Sequence, residues 1–139
     1  MIQTNTTSRE SLKQMRLREA KEKEAILKEK CEQMAIERFG EDELKKMSNA
    51  NKGLWYLPVI SDEDEIEKLA IMKPIDRHIL SHASTKIEDE GLYVFLEACM
   101  RECWLEGDKE ILDDDDYFIP AAMKFNKIME SKKVSFFKR

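Results

Sequence analysis

Four side chains in this sequence could hold a metal ion. His78 and His82 are four residues apart, and so are Cys99 and Cys103. On a helix each pair lies on one face. Two such helices side by side would present two imidazoles and two thiols, a donor set that suits zinc. The spacing argues the other way. A Cys-x3-Cys pair within a helix is not the usual zinc knuckle, and both cysteines coincide with an apolar stripe where they simply pack. The histidines read equally well as a surface pair beside Asp76, so no metal ligand is assigned. Calcium fares no better. Asp108, Glu110 and Leu112 fall at the first, third and fifth positions of an EF-hand loop, but no glycine follows at the sixth. The run Asp113 to Asp116 reads as a helix start, where carboxylates cap N–H groups and favour the helix dipole. A nucleophilic Cys103 needs a histidine base and an orienting group, and both histidines serve as ordinary helix residues. Ser81 and Ser84 have no elbow glycines around them. Gly40, Gly53, Gly91 and Gly107 are too scattered to build a phosphate loop. The expectation is a protein that is not an enzyme, with no catalytic residue and no cofactor.

The aromatic residues offer a different kind of chemistry. Trp104 reads as core packing. Trp55, Tyr56, Phe136 and Phe137 are candidate partner-binding residues, because an edge strand and an apolar terminus are natural docking elements for another chain.

The elements that must position these groups follow from pattern. Residues Thr7 to Phe39 contain no Gly or Pro and read as one long helix, opened by a capping box at Thr7 and Glu10 and stopped by Gly40. Its apolar stripe is thin early, at Leu12, Met15 and Ala20, and strengthens at Leu27, Cys31 and Met34. A helix so polar in its first half projects into solvent or lies against a partner. A short turn of helix at Glu41 to Met47 and a loop at Ser48 to Gly53 follow. Leu54 to Ile60 is aromatic and β-branched, which predicts a strand, with Pro58 marking it as an edge. Asp62 to Glu65 is a solvated turn, and Lys68 to Lys73 returns as the second strand. Two strands are marginal alone, so the hairpin must lean on helices or borrow a third strand from a neighbouring chain. Helices are then predicted over Ile75 to Lys86, Glu88 to Glu106 and Asp116 to Lys132. Within Cys103-Trp104-Leu105-Glu106-Gly107-Asp108, Gly107 reads as the left-handed helix terminator.

Composition limits the function classes. The chain has 139 residues, 38% of them charged, and a formal net charge of -5. That balance argues against general nucleic-acid binding, which needs a basic footprint. Three cysteines are an odd number and suggest reduced, buried thiols rather than a disulfide framework. No apolar signal core or membrane-spanning run is visible, so neither a membrane association nor export is expected.

From Leu54 to Lys138 the chain resembles a family of small phage proteins found with tail-morphogenesis modules, described as tail-assembly-chaperone-like. The carrying residues are Lys73-Pro74-Ile75-Asp76-Arg77, Leu80-Ser81-His82-Ala83-Ser84, Cys103-Trp104-Leu105-Glu106-Gly107-Asp108, and Asp113 to Asp116 with Tyr117-Phe118. The long charged N-terminal helix and Pro58 depart from that pattern. The resemblance implies a protein that binds a tail component before or during assembly and holds it soluble.

The expectation is an α+β fold: a long N-terminal helix, one β-hairpin and a small bundle of three helices. Residues 1–47 form a charged helical arm, and residues 48–139 form the hairpin-plus-bundle domain. The function expected is that of a non-enzymatic phage morphogenesis factor working in the cytoplasm of the bacterial host. Its partner is a phage tail or other virion protein, with a homo-oligomer open. The alternatives are a small structural or cargo protein of the virion, and a metal-binding regulatory module.

Overall fold

The computed structural model describes residues 4–85, 90–130 and 137–139, with side chains from residue 11 onward. The fold is α+β, with a long N-terminal helix, a hairpin joined by a third strand, and further helices. In chain order the elements are α1 (Thr4–Phe39), α2 (Glu41–Asn51), β1 (Trp55–Ile60), β2 (Ile66–Met72), α3 (Arg77–Ser84), α4 (Leu92–Cys103), β3 (Trp104–Gly107), α5 (Glu110–Asp113) and α6 (Asp115–Met129).

Helix α1 runs unbroken because nothing in it resists a helix. It starts at Thr4, and the side chains of the expected capping box at Thr7 and Glu10 lie outside the described residues. Gly40, at φ 86°, breaks the chain direction and starts α2. The expected loop at Ser48 to Gly53 is a correction: α2 continues to Asn51 and is ended by Lys52 in the left-handed conformation. Its C-terminal carbonyl at Ser48 accepts from Lys52 and Gly53 N–H groups, so the turn is satisfied without a loop of its own.

The hairpin forms as the alternation requires. β1 pairs antiparallel with β2, matching Tyr56 with Ile71 and Leu57 with Ala70. Ser61 ties the turn, its hydroxyl oxygen accepting from the Glu63 and Glu65 N–H groups. A third strand then joins from the same chain. β3 pairs antiparallel with β2, giving the order β1-β2-β3. The expected helix from Glu88 to Glu106 is therefore corrected. Glu88 lies outside the described residues; the helix is Leu92–Cys103, and Trp104 turns to extended backbone at φ -64°, ψ 127°. Lys73 N–H holds the Cys103 carbonyl at 2.8 Å, which swings the following residues onto the sheet edge.

The sheet is covered on both faces, and β2 shows it: Leu69, Ala70, Ile71 and Met72 are all buried. On one face Leu69 and Ile71 pack with Cys31 and Ala35 of α1 and Leu44 of α2. On the other, Leu57, Ala70 and Met72 meet Ile79, Leu96, Cys99, Met100, Cys103, Ile111 and Phe125 from α3 to α6. The second half of α1 is thus core, while residues 11–26 are exposed throughout. Asp76 caps α3 by accepting from Ile79 N–H at 2.9 Å, so the helix begins at Arg77 rather than at the expected Ile75, and the expected end at Lys86 lies outside the described residues. Asp114 caps α6 in the same manner through Asp116 N–H. Pro120 sits in the second turn of α6, past the first-turn N–H groups that are free in any helix, and so removes the one bond its N–H would make to the Asp116 carbonyl.

Candidate functional site

The sheet has two edge strands, β1 and the four-residue β3, and β1 is the longer. Leu69 of β2 gives both backbone groups to the β3 side: its N–H donates to Asp108 Oδ2 and its carbonyl accepts from Asp108 N–H, each at 2.9 Å. Its cross-strand mate is Pro58. In an antiparallel ladder such a pair turns its backbone groups away from one another. Pro58 therefore faces the free edge, as does Tyr56 two residues earlier. The edge presents the Tyr56 N–H and carbonyl and the Pro58 carbonyl, and Pro58 removes one donor from the row.

That edge is the floor of an open groove of about 1490 Å³. One wall is α1 with α2, contributing Leu27, Lys28, Glu32 and Leu44; the other is α6, contributing Tyr117, Pro120, Lys124 and Ile128. The walls rise from opposite faces of the sheet. Trp55 turns to the α6 side, where its ring meets Phe125 edge-on with centroids 6.3 Å apart and planes at 67°. Tyr56 turns to the α1 side and donates its hydroxyl to Glu32 Oε2 at 2.8 Å. Burial, with the bond to Glu32 and its negative charge, pushes the Tyr56 phenol well above its ordinary value.

The α1 wall reaches past the sheet. Arg38 pairs with Asp108 at the β3 side, and Glu32 bonds Tyr56 at β1. Those six residues rise about 9 Å, close to the ~9.6 Å of two strand spacings. The helix thus crosses the strands and continues beyond β1, with Lys21, Glu24 and Lys28 lining the groove where a fourth strand would lie.

Asp108 locks this arrangement. Its Oδ2 accepts from Leu69 N–H and from Arg38 Nη1, both at 2.9 Å. Burial acts to push the carboxyl up, but the Leu69 bond, the Arg38 guanidinium and the Lys68 ammonium together hold it below the ordinary aspartate value. Gly107 beside it, at φ 134°, lies so close to β2 that a Cβ would sit 2.4 Å from the Leu69 carbonyl oxygen. The Gly107-Asp108 pair is thus a latch joining β3, β2 and α1, not the helix terminator expected from its composition.

The residues singled out for partner binding separate. Trp55 and Tyr56 both line the groove but point to opposite faces and are half-buried. Phe137 is 88% exposed and lines no part of it. Phe136 lies outside the described residues. The α1 and α6 walls escaped the sequence reading, whose only signal for them was the polar first half of α1. The candidate zinc donors do not converge: His78 and His82 are exposed, His82 lying against Glu102, while Cys99 and Cys103 are buried. Burial pushes the Cys99 thiol up to about 11 and the Cys103 thiol up to about 12. Among the described residues no group of three His, Cys, Asp or Glu side chains is placed to hold a metal ion. No helix of the described residues is long and apolar enough to cross a membrane. Trp104, expected in the core, is half-buried at its margin.

Compared with known protein families, with curated proteins and with solved structures, the chain matches none.

Proposed function

We propose that this protein is a non-enzymatic phage morphogenesis factor of the tail-assembly-chaperone kind, which holds a tail component by an extended segment laid along β1. The observation that carries the reading is the unpaired β1 edge at the floor of a groove walled by apolar and charged side chains together. A segment added there gains main-chain hydrogen bonds from the edge and side-chain contacts from the walls. Since α1 covers one face and α6 the other, the added segment is enclosed on both. It would meet Leu27 and Leu44 on one face and Pro120 and Ile128 on the other, with Lys28 and Lys124 beside them. The resemblance of residues 54–138 to tail-assembly-chaperone-like proteins suggests the class of client, a tail component, and the net charge of -5 favours a protein partner over nucleic acid. Work of this kind belongs in the cytoplasm of the bacterial host.

The test is capture of a tail protein by the tagged chain during infection. Trp55 is a poor site for a disruptive charge, because its ring packs on Phe125. Ile60, exposed at the end of β1 and lining the groove, is the better one. Ile60→Asp should lower recovery of the tail component about tenfold or more while the circular dichroism stays unchanged. Recovery equal to the parent removes the β1 edge from the interaction. Presence of the chain in purified particles at fixed stoichiometry supports a virion component instead.

A further inference from the structure

We infer that the groove along β1 has an occupant within the chain itself: the basic segment after α6, residues 131–139, of which residues 134–138 lie along β1 as a parallel fourth strand until a client displaces them. The inference rests on the proposed function only in taking β1 as the docking edge. It adds regulation to that site, because client and segment cannot occupy it together.

Reach comes first. Phe125 of α6 packs on Trp55, at the start of β1. The Lys68 ammonium stands over the Tyr117 ring, 5.7 Å from its centroid, and Lys68 pairs with Val59 near the end of β1. Helix α6 therefore runs antiparallel to β1. It ends at Met129, beside the start of β1, with Ile128 on the groove wall. A chain that turns back there runs from Trp55 toward Ile60. From Glu130 to Val134 an extended chain spans up to about 13 Å, against a spacing of about 10 Å between packed layers. Residues 134–138 are then left for the edge, where Tyr56 offers an N–H and a carbonyl and Pro58 a carbonyl.

The side-chain pattern suits a groove walled on both faces. Phe136 and Phe137 are neighbours, so in a strand they point to opposite faces. One meets Leu27 and Leu44, the other Pro120 and Ile128. Phe137 is exposed in the structure, which is the open arrangement, and closing the groove covers its ring.

Charge completes the match. The segment holds Lys132, Lys133, Lys138 and Arg139 and no acid, a charge of +4, so the chain's net -5 leaves -9 on residues 1–130. In the closed arrangement Lys138 and Arg139 come beside Val59 and Ile60. Glu67 and Asp116 line the groove there, and the Asp62-Glu63-Asp64-Glu65 turn follows. Among the described residues neither Glu67 nor Asp116 is in an ion pair. Lys124, next to Phe125 on α6, comes level with Val134 and Ser135, which carry no charge.

Amide exchange of Tyr56, followed by NMR on the full chain, tests the inference. The Leu57 N–H faces β2 and serves as the reference. Phe136→Asp with Phe137→Asp should speed Tyr56 exchange about tenfold or more and leave Leu57 unchanged. Lys138→Glu with Arg139→Glu should speed it about threefold. All four positions lie beyond α6, so neither variant burdens the core. Diluting the parent about tenfold should change nothing, since the contact lies within one chain. Equal Tyr56 exchange in the parent and the phenylalanine variant overturns the inference. So does protection lost on dilution, which assigns the edge to a second copy. A charge variant without effect overturns the placement of Lys138 and Arg139. Capture of a tail protein alongside equal Tyr56 exchange refutes only the closed segment. A closed segment in a chain that captures no tail protein, even with both phenylalanines replaced, refutes only the proposed function.

Discussion

Replacing Gly107 with alanine should be among the most damaging single-methyl changes in the chain. The added Cβ would stand 2.4 Å from the Leu69 carbonyl oxygen and 2.9 Å from Ala70 Cα, both main-chain atoms of the central strand. Neither can swing aside as a side-chain tip would. A non-glycine residue at φ 134° adds backbone strain of about 1–3 kcal/mol. Relieving the overlap means moving β3 off β2, comparable to an overpacked core at about 1–3 kcal/mol. Together these give a loss of about 2–6 kcal/mol, out of about 5–15 kcal/mol for an ordinary domain. For a chain of this size the melting temperature should fall by about 6–24 °C. Gly40→Ala is the internal control. Gly40 also has positive φ, at 86°, but a Cβ there meets nothing within 4 Å, so only the strain applies. Thermal melts of the two variants separate the contributions. If Gly107→Ala melts within about 3 °C of Gly40→Ala, the close approach of β3 to β2 is refuted, and with it the account of the Gly107-Asp108 latch.

Asp108→Ala should cost about 2 kcal/mol by removing a carboxylate that accepts two hydrogen bonds. Because the folded state holds the Asp108 carboxyl below its ordinary value, its stabilisation is present above the unfolded-state pKa and is lost as pH falls through the folded one. The difference in urea midpoint between parent and variant should therefore shrink on acidification from pH 6 toward pH 2, and a constant difference would contradict the ionic account. Deleting residues up to Lys23 should leave the urea transition of the remainder cooperative, since residues 11–26 are exposed, while deletion through Phe39 should abolish it by removing Cys31 and Ala35 from the core. Loss of the folded state with the shorter deletion would show that this part of α1 stabilises the fold.

Much of the fold was legible because it rests on local rules. Absence of Gly and Pro marked α1, aromatic and β-branched residues with Pro58 marked β1 as an edge, and the Asp113–Asp116 run marked a helix start, whereas the cap at Asp76 was missed and its helix was expected from Ile75. β3 was not legible. Trp104-Leu105-Glu106-Gly107 is too short to show alternation, and it continues the apolar stripe of α4. What makes it a strand is Asp108 bonding to Leu69, 39 residues away. The longer α2 was missed because Ser48-Asn49-Ala50-Asn51 has loop composition, yet Lys52 supplies the left-handed cap where it ends. Burial of both sheet faces did leave a trace, the continuous run Leu69-Ala70-Ile71-Met72. The groove left none, since it exists only once α1 is laid across the strands.

The Arg38–Asp108 contact joins residues 70 positions apart, and this has a consequence for synthesis. The ribosome delivers about 5–20 residues per second, so the α1 helix waits several seconds for the strand end that anchors it. Throughout that interval β2 is an open edge instead of the central strand, and it has no cover from α4 or α6. The solvated Asp62-Glu63-Asp64-Glu65 turn and the charged α1 helix are then the parts of the nascent chain that oppose sticking. A polar arm that contributes little to the finished core is thus already useful before the core exists.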